Sequence, residues 1–92
     1  MLYANQFLFS DIYPYEVVKK VSDVTMDIQE MSAELQPETD PYEQKYNFYS
    51  NKENPIIRIR KNQKGVWCDK DGRKYIVGNE PRKRSYYDYS FW

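Results

Sequence analysis

Apolar and polar positions alternate with a period of two along much of the chain, the spacing that sends successive side chains to opposite faces of a strand. Residues 1–9 make a first such run, with Tyr3, Asn5, Phe7 and Phe9 on one face and Leu2, Ala4, Gln6 and Leu8 on the other. Pro14 has no N–H to give to a ladder, so the run stops there and restarts after it. Residues 15–21 (YEVVKKV) and 25–31 (TMDIQEM) flank the polar link 22–24 and predict a hairpin, with Met26 and Ile28 facing inward and Asp27 and Gln29 outward. A helix over residues 17–35 competes with this hairpin. Val17, Val18, Val21, Val24 and Ile28 fit a helical stripe, and no glycine breaks the segment. The wealth of β-branched side chains favours the strands.

Residues 36–42 (QPETDPY) gather two prolines among acidic and polar side chains and read as a loop. Residues 44–49 then give a short strand, and Asn54-Pro55 holds the chain extended as it enters residues 56–60 (IIRIR). There Ile57 and Ile59 point inward, and Arg58 and Arg60 share the opposite face. Lys64-Gly65, Asp71-Gly72 and Gly78-Asn79 are turn signals that bracket strands at 66–68 and 74–77, a meander. The tail 82–92 (RKRSYYDYSFW) can supply a last strand. Six or seven short strands joined by tight turns predict a mainly β protein: a small antiparallel β-barrel or curved sheet, Src-homology-3-like, with at most a short helix.

The chain has 92 residues, enough for a single domain that buries only about 60 to 65% of its unfolded surface, and a second copy would help to stabilise it. Its single cysteine, Cys68, cannot form an intrachain bridge, which points to a reducing, cytoplasmic setting. No apolar run is long enough for a membrane helix, and residues 1–10 lack the basic start and cleavage site of a signal peptide. Ten Tyr, four Phe and two Trp suit pleated strands and a binding surface better than a helical bundle. The zero net charge hides an asymmetry. Residues 1–43 carry two basic side chains against nine acidic ones, −7, and residues 44–92 carry twelve against five, +7. The halves either interleave and cancel or form two faces, of which the basic one suits an anionic ligand.

Catalysis is not expected, since the chain has no histidine to serve as general base or metal ligand. Cys68 sits between Trp67 and Asp69, a carboxylate neighbour that disfavours a thiolate, and reads as a buried structural thiol. Asp69, Asp71 and Gly72 look like part of a calcium loop, but the sixth position counted from Asp69 is Lys74 where such a loop needs glycine, so a hairpin turn is the better reading. No cofactor is expected. What remains is a basic and aromatic constellation, with Arg58, Arg60, Lys61 and Trp67 in the meander and Arg82, Lys83, Arg84, Tyr86 and Tyr87 in the tail. Guanidinium forks match phosphate oxygens and aromatic faces stack on bases. Arg58, Arg60, Trp67, Arg82, Lys83, Tyr86 and Tyr87 are therefore the candidate ligand-binding residues. The competing explanation is a solvated strand face whose arginines lie over aromatic core residues.

The chain resembles a group of small uncharacterised proteins encoded in phage and prophage genomes. The resemblance rests on Pro14-Tyr15-Glu16-Val17-Val18 with Ser22-Asp23, on Asn54-Pro55-Ile56-Ile57-Arg58-Ile59-Arg60, on Gly65-Val66-Trp67 with Asp71-Gly72, and on Pro81-Arg82 with Tyr87-Asp88-Tyr89-Ser90-Phe91. It covers about two thirds of the chain, and residues 36–49 look shorter than their counterpart. The resemblance brings no catalytic residue. It implies a counter-defence protein of the host cytoplasm, oligomeric, that sequesters an anionic small molecule such as a nucleotide immune signal. Two alternatives stand beside it: an accessory protein that binds nucleic acid with the same face, and an inhibitor that binds a host defence protein directly.

Overall fold

The computed structural model describes residues 2–8, 11–36 and 45–84, and every regular element among them is a strand. In chain order these are β1 (Tyr3–Phe7), β2 (Ile12–Tyr13), β3 (Tyr15–Ser22), β4 (Thr25–Glu30), β5 (Ser32–Leu35), β6 (Tyr46–Tyr49), β7 (Ile56–Lys61), β8 (Trp67–Cys68) and β9 (Lys74–Gly78). Six of them, ordered β1-β3-β4-β7-β8-β9, close on themselves through a five-pair β1–β9 ladder, so the fold is a small antiparallel β-barrel. β2 adds to β1, and β5 and β6 form a separate two-stranded hairpin.

The hairpin expected around residues 22–24 forms between β3 and β4, and the competing helix does not. The helix-like spacing of the valines has another cause. Val17 pairs with Ile28, Lys19 with Asp27, Lys20 with Met26 and Ser22 with Thr25, which leaves Val18 and Val21 as the extra residues of two β-bulges. Each bulge slips the two-residue alternation by one, and two slips in succession imitate a helical stripe. β5 was not among the expected strands because its sequence, SAEL, contains no β-branched or aromatic residue. The expected loop beyond Gln36 and the tail beyond Arg84 lie outside the described residues. Arg84 itself makes an isolated bridge to Ile12.

The barrel interior is built from Ala4, Met26, Ile28, Ile59, Trp67 and Tyr75, with Tyr15, Val17, Ile57 and Val77 packed against them. Met26, Ile28, Ile57 and Ile59 therefore point as the alternation predicts. Gln29 also lies on the outer face as the alternation predicts, yet it is only 4% exposed. The segment between β6 and β7 covers it, and its Nε2 donates to the carbonyls of Lys52 and Asn54. Further side-chain bonds fasten the same segment: Asn54 Nδ2 to the Glu30 carbonyl, Asn51 Nδ2 to Ser32 Oγ, and Ser50 Oγ to the carboxylate of the buried Glu16. Asn5, also buried, clamps the segment after β9 by donating to the Glu80 carbonyl and accepting from the Arg82 N–H. Buried amides thus find the partners that burial demands.

Two turns with the same chemistry flank β8. In residues 62–66 and 69–73 the first and fifth residues bond to each other, the fourth is glycine, and the side chain of the first accepts from the N–H groups of the third and fifth. Gly65 and Gly72 have φ of 81° and 85°, the left-handed conformation that closes a three-residue hairpin loop with a bulge. Asn62 and Asp69 are the capping side chains.

Trp67 is the bulkiest residue of the core and sits on the shortest strand of the barrel. Trp67→Ala should cost about 3 to 5 kcal/mol, and Trp67→Phe markedly less. Ile56→Ala, at a site 59% exposed, should stay within about 0.5 kcal/mol. Urea unfolding of the three variants checks the order; equal losses at Trp67 and Ile56 would contradict this account of the core.

Candidate functional site

β8 meets β7 at two residue pairs only, Arg60 with Cys68 and Lys61 with Trp67, before the chain turns away at Asp69. The first part of β7, from Ile56 to Ile59, therefore has no ladder partner on that side among the described residues. The barrel wall opens there into a groove of about 670 Å³, within the range of small-molecule sites. Arg60, Lys61, Lys70 and Arg73 stand around it and outnumber Asp69 and Asp71, and its floor is Gln6, Tyr15, Ile57 and Tyr75. A cationic lip over an aromatic and apolar floor can hold a molecule that is anionic at one end and planar or apolar at the other.

The floor is rigid. The Tyr75 hydroxyl accepts from Gln6 Nε2 at 3.0 Å and donates to Asp69 Oδ2 at 2.9 Å, so both sides of the phenol are fixed. Tyr15 meets the Tyr75 ring edge to face, with centroids 5.5 Å apart. Burial, followed by the bond to Asp69, drives the Tyr75 pKa far up, and burial with the charge of Glu30 raises that of Tyr15; both phenols keep their protons. Burial also works against the Asp69 charge. The bonds from the Tyr75 hydroxyl and from the Arg73 and Asp71 N–H groups, with the Arg73 charge beside them, outweigh it and hold the carboxyl below its usual range.

Of the candidate residues from the sequence, Arg60 lies on the groove, exposed and with no ion pair among the described residues. Arg58 also borders it, but its fork is spent on Asp27, directly opposite on β4, through Nε to Oδ1 at 2.8 Å and Nη2 to Oδ2 at 3.3 Å. That bond raises the Arg58 pKa and lowers that of Asp27, so the pair is mutually satisfied. Trp67 is a correction: it is 9% exposed and belongs to the core, because Trp67, not Cys68, takes the inward position of β8. It offers no open face for stacking. Cys68 is a second correction, since it is only partly buried and lines the groove instead of being enclosed. Arg82 lines a separate recess of about 300 Å³ with Asn5, Phe7 and Ile76, and Lys83 lies over the Tyr13 ring at 4.2 Å. The constellation is therefore divided between two places. Tyr86 and Tyr87 lie outside the described residues.

Sequence reading missed Lys70, Arg73, Tyr15, Tyr75 and Gln6. Lys70 and Arg73 were detectable, since they flank the Asp71-Gly72 turn signal; the three floor residues meet only through closure of the barrel. Charge is distributed by strand. Residues 56–78, which hold β7, β8 and β9, carry seven basic side chains against Asp69 and Asp71, a difference of +5, and they are contiguous around the barrel. Residues 11–30, with β3 and β4, carry two basic against five acidic, −3.

The molecule is a small closed antiparallel barrel with a cationic groove beside its shortest strand. No protein family, curated protein or solved structure matches the chain. Among the described residues no helix is long and apolar enough to cross a membrane.

Asp69 links the 69–73 turn to the groove floor, and its pKa in the fold lies below the ordinary value of 3.8. Its ionised form contributes stability that is complete above the unfolded value and is lost as pH falls through the folded one. Wild-type unfolding midpoints in urea should therefore drop below about pH 4, and Asp69→Asn should lower the midpoint at neutral pH and flatten that acid limb. An acid limb of unchanged depth in the variant would show that other carboxylates carry it.

Proposed function

We propose that this chain is a non-catalytic binding protein that sequesters an anionic small molecule of nucleotide type in the groove beside β8. The observation that carries this reading is the convergence of Arg60, Lys61 and Lys70, none of them ion-paired among the described residues, on a groove with an aromatic floor. Uncompensated cations at a concave site attract anions and gain charge-assisted hydrogen bonds when they meet them. A phage-type counter-defence role in the host cytoplasm, withdrawing a nucleotide signal from a defence system, is the biological setting that fits a small binder with this site. Action as an oligomer belongs to the same proposal. The cations of the groove and those around Arg82 and Lys83 occupy separate places, which favours a small ligand over a continuous track for nucleic acid.

Small molecules released on denaturing the purified protein should include a phosphate-bearing compound near stoichiometric amount, read by mass spectrometry. Arg60→Ala with Lys70→Ala should weaken its binding by roughly a hundredfold or more, since each lost charge-assisted bond costs about 1.5 to 3 kcal/mol. Both sites are exposed, so stability should change by no more than about 0.5 kcal/mol each. Wild-type affinity in the double variant, measured by isothermal titration, would rule out the groove as the site.

A further inference from the structure

We infer, resting on the reading of the groove as an anion site, that it takes a nucleoside monophosphate in one orientation: ring inward against Tyr15 and Ile57, phosphate outward at Arg60, Lys61 and Lys70. Three observations fix this polarity. Among the described residues the acidic group bonded into the floor is Asp69, whose Oδ2 holds the Tyr75 hydroxyl and whose Oδ1 holds the turn N–H groups. It stays ionised, so a phosphate placed deep in the groove would face a fixed negative charge, whereas an uncharged ring would not. At the lip Asp71 is offset by Arg73, 4.0 Å away, and the balance reverses, because Arg60, Lys61 and Lys70 bring three further positive charges and make no ion pair among the described residues. A terminal phosphate carries close to two negative charges at neutral pH and matches that lip without crowding it.

The floor supplies the second half of the recognition. Tyr15 is held edge to face by Tyr75, which is itself held from both sides by Gln6 and Asp69, and Ile57 faces the groove because β8 ends before reaching it. An aromatic wall already fixed in place loses little conformational freedom when a planar ring packs on it. The ring therefore adds affinity beyond what the phosphate alone provides, and the groove distinguishes a nucleotide from a sugar phosphate.

The test titrates the wild-type chain with adenosine, guanosine, cytidine and uridine 5′-monophosphates and with ribose 5-phosphate. At least one nucleotide should bind roughly 5- to 150-fold more tightly than ribose 5-phosphate, the range for one stacked base. Tyr15→Leu should erase most of that advantage by weakening nucleotide binding far more than ribose 5-phosphate binding; Arg60→Ala with Lys70→Ala should weaken both. As a readout that needs no variant, the preferred nucleotide should slow maleimide labelling of Cys68, the chain's single cysteine, which lines the groove. Equal affinity for every nucleotide and ribose 5-phosphate would overturn ring insertion and leave the anion site standing. Failure of all five to bind at millimolar concentration would overturn both.

Discussion

Closure of this barrel depends on a strand of two residues. β8 contributes Trp67 to the interior and Cys68 to the exterior, and through them it joins β7 to β9 with two residue pairs on each side. It cannot lengthen in either direction, because loops that require glycine at Gly65 and Gly72 close immediately before and after it. One short strand therefore has two structural consequences. Trp67 fills the core that β7 and β9 share, and the part of β7 that β8 does not reach becomes the wall of the groove. A longer β8 would seal the wall and give Ile57 a second strand neighbour, opposite Ile28 of β4. This short seam is thus also the place where solvent and ligand reach the aromatic floor, and the bulk of an indole at the adjacent core position compensates for the missing ladder.

A barrel of this size, without a disulfide, needs other ways to hold its peripheral segments, and it uses uncharged amides. Gln29, Asn51 and Asn54 fasten the segment before β7 across β4 and β5, and Asn5 fastens the segment after β9 across β1. An isolated two-stranded hairpin is marginal in water, so the bonds around residues 50–54 also anchor the β5–β6 hairpin to the barrel. Amides can donate and accept at once and carry no charge to desolvate, which explains their selection at covered positions on the outer face. Burying Gln29 and Asn5 is favourable only because each meets backbone groups that would themselves be left without partners under the covering chain.

What the sequence discloses is what local chemistry determines. Lys64-Gly65 and Asp71-Gly72 announce their turns because a positive φ selects glycine, and the alternation in IIRIR places Ile57 and Ile59 inside without knowledge of any neighbour. The bulges at Val18 and Val21 are a different matter, since they exist only relative to β4, and in the bare sequence they pass for helical spacing. Trp67 shows the same limit: in a two-residue strand alternation cannot say which side chain faces inward, and the structure assigns the core to the indole. The site was half legible. Arg60 follows from its face of β7, but the fate of Arg58 depends on Asp27, 31 residues away, and the floor joins Gln6 to Tyr75 across 69 residues.

The electrostatic pattern of the barrel follows from where its two charge-biased halves meet. Strands β3 and β4 belong to the acidic half and β7 to β9 to the basic half, and β4 and β7 are neighbours. At that border cation and anion face each other in register, and Arg58 and Asp27 neutralise one another. One pleat further along β7, Arg60 pairs with Thr25 on β4 and Cys68 on β8, neither of which can take its charge. The site is therefore defined by leftover cations and not by total charge, which is zero. The side chains that matter are those whose cross-strand partners are neutral. By this criterion Arg60 and Lys61 qualify and Arg58 does not. The criterion requires the strand register, and that is why counting basic residues along the chain could locate the basic face but could not separate a binding residue from a structural one.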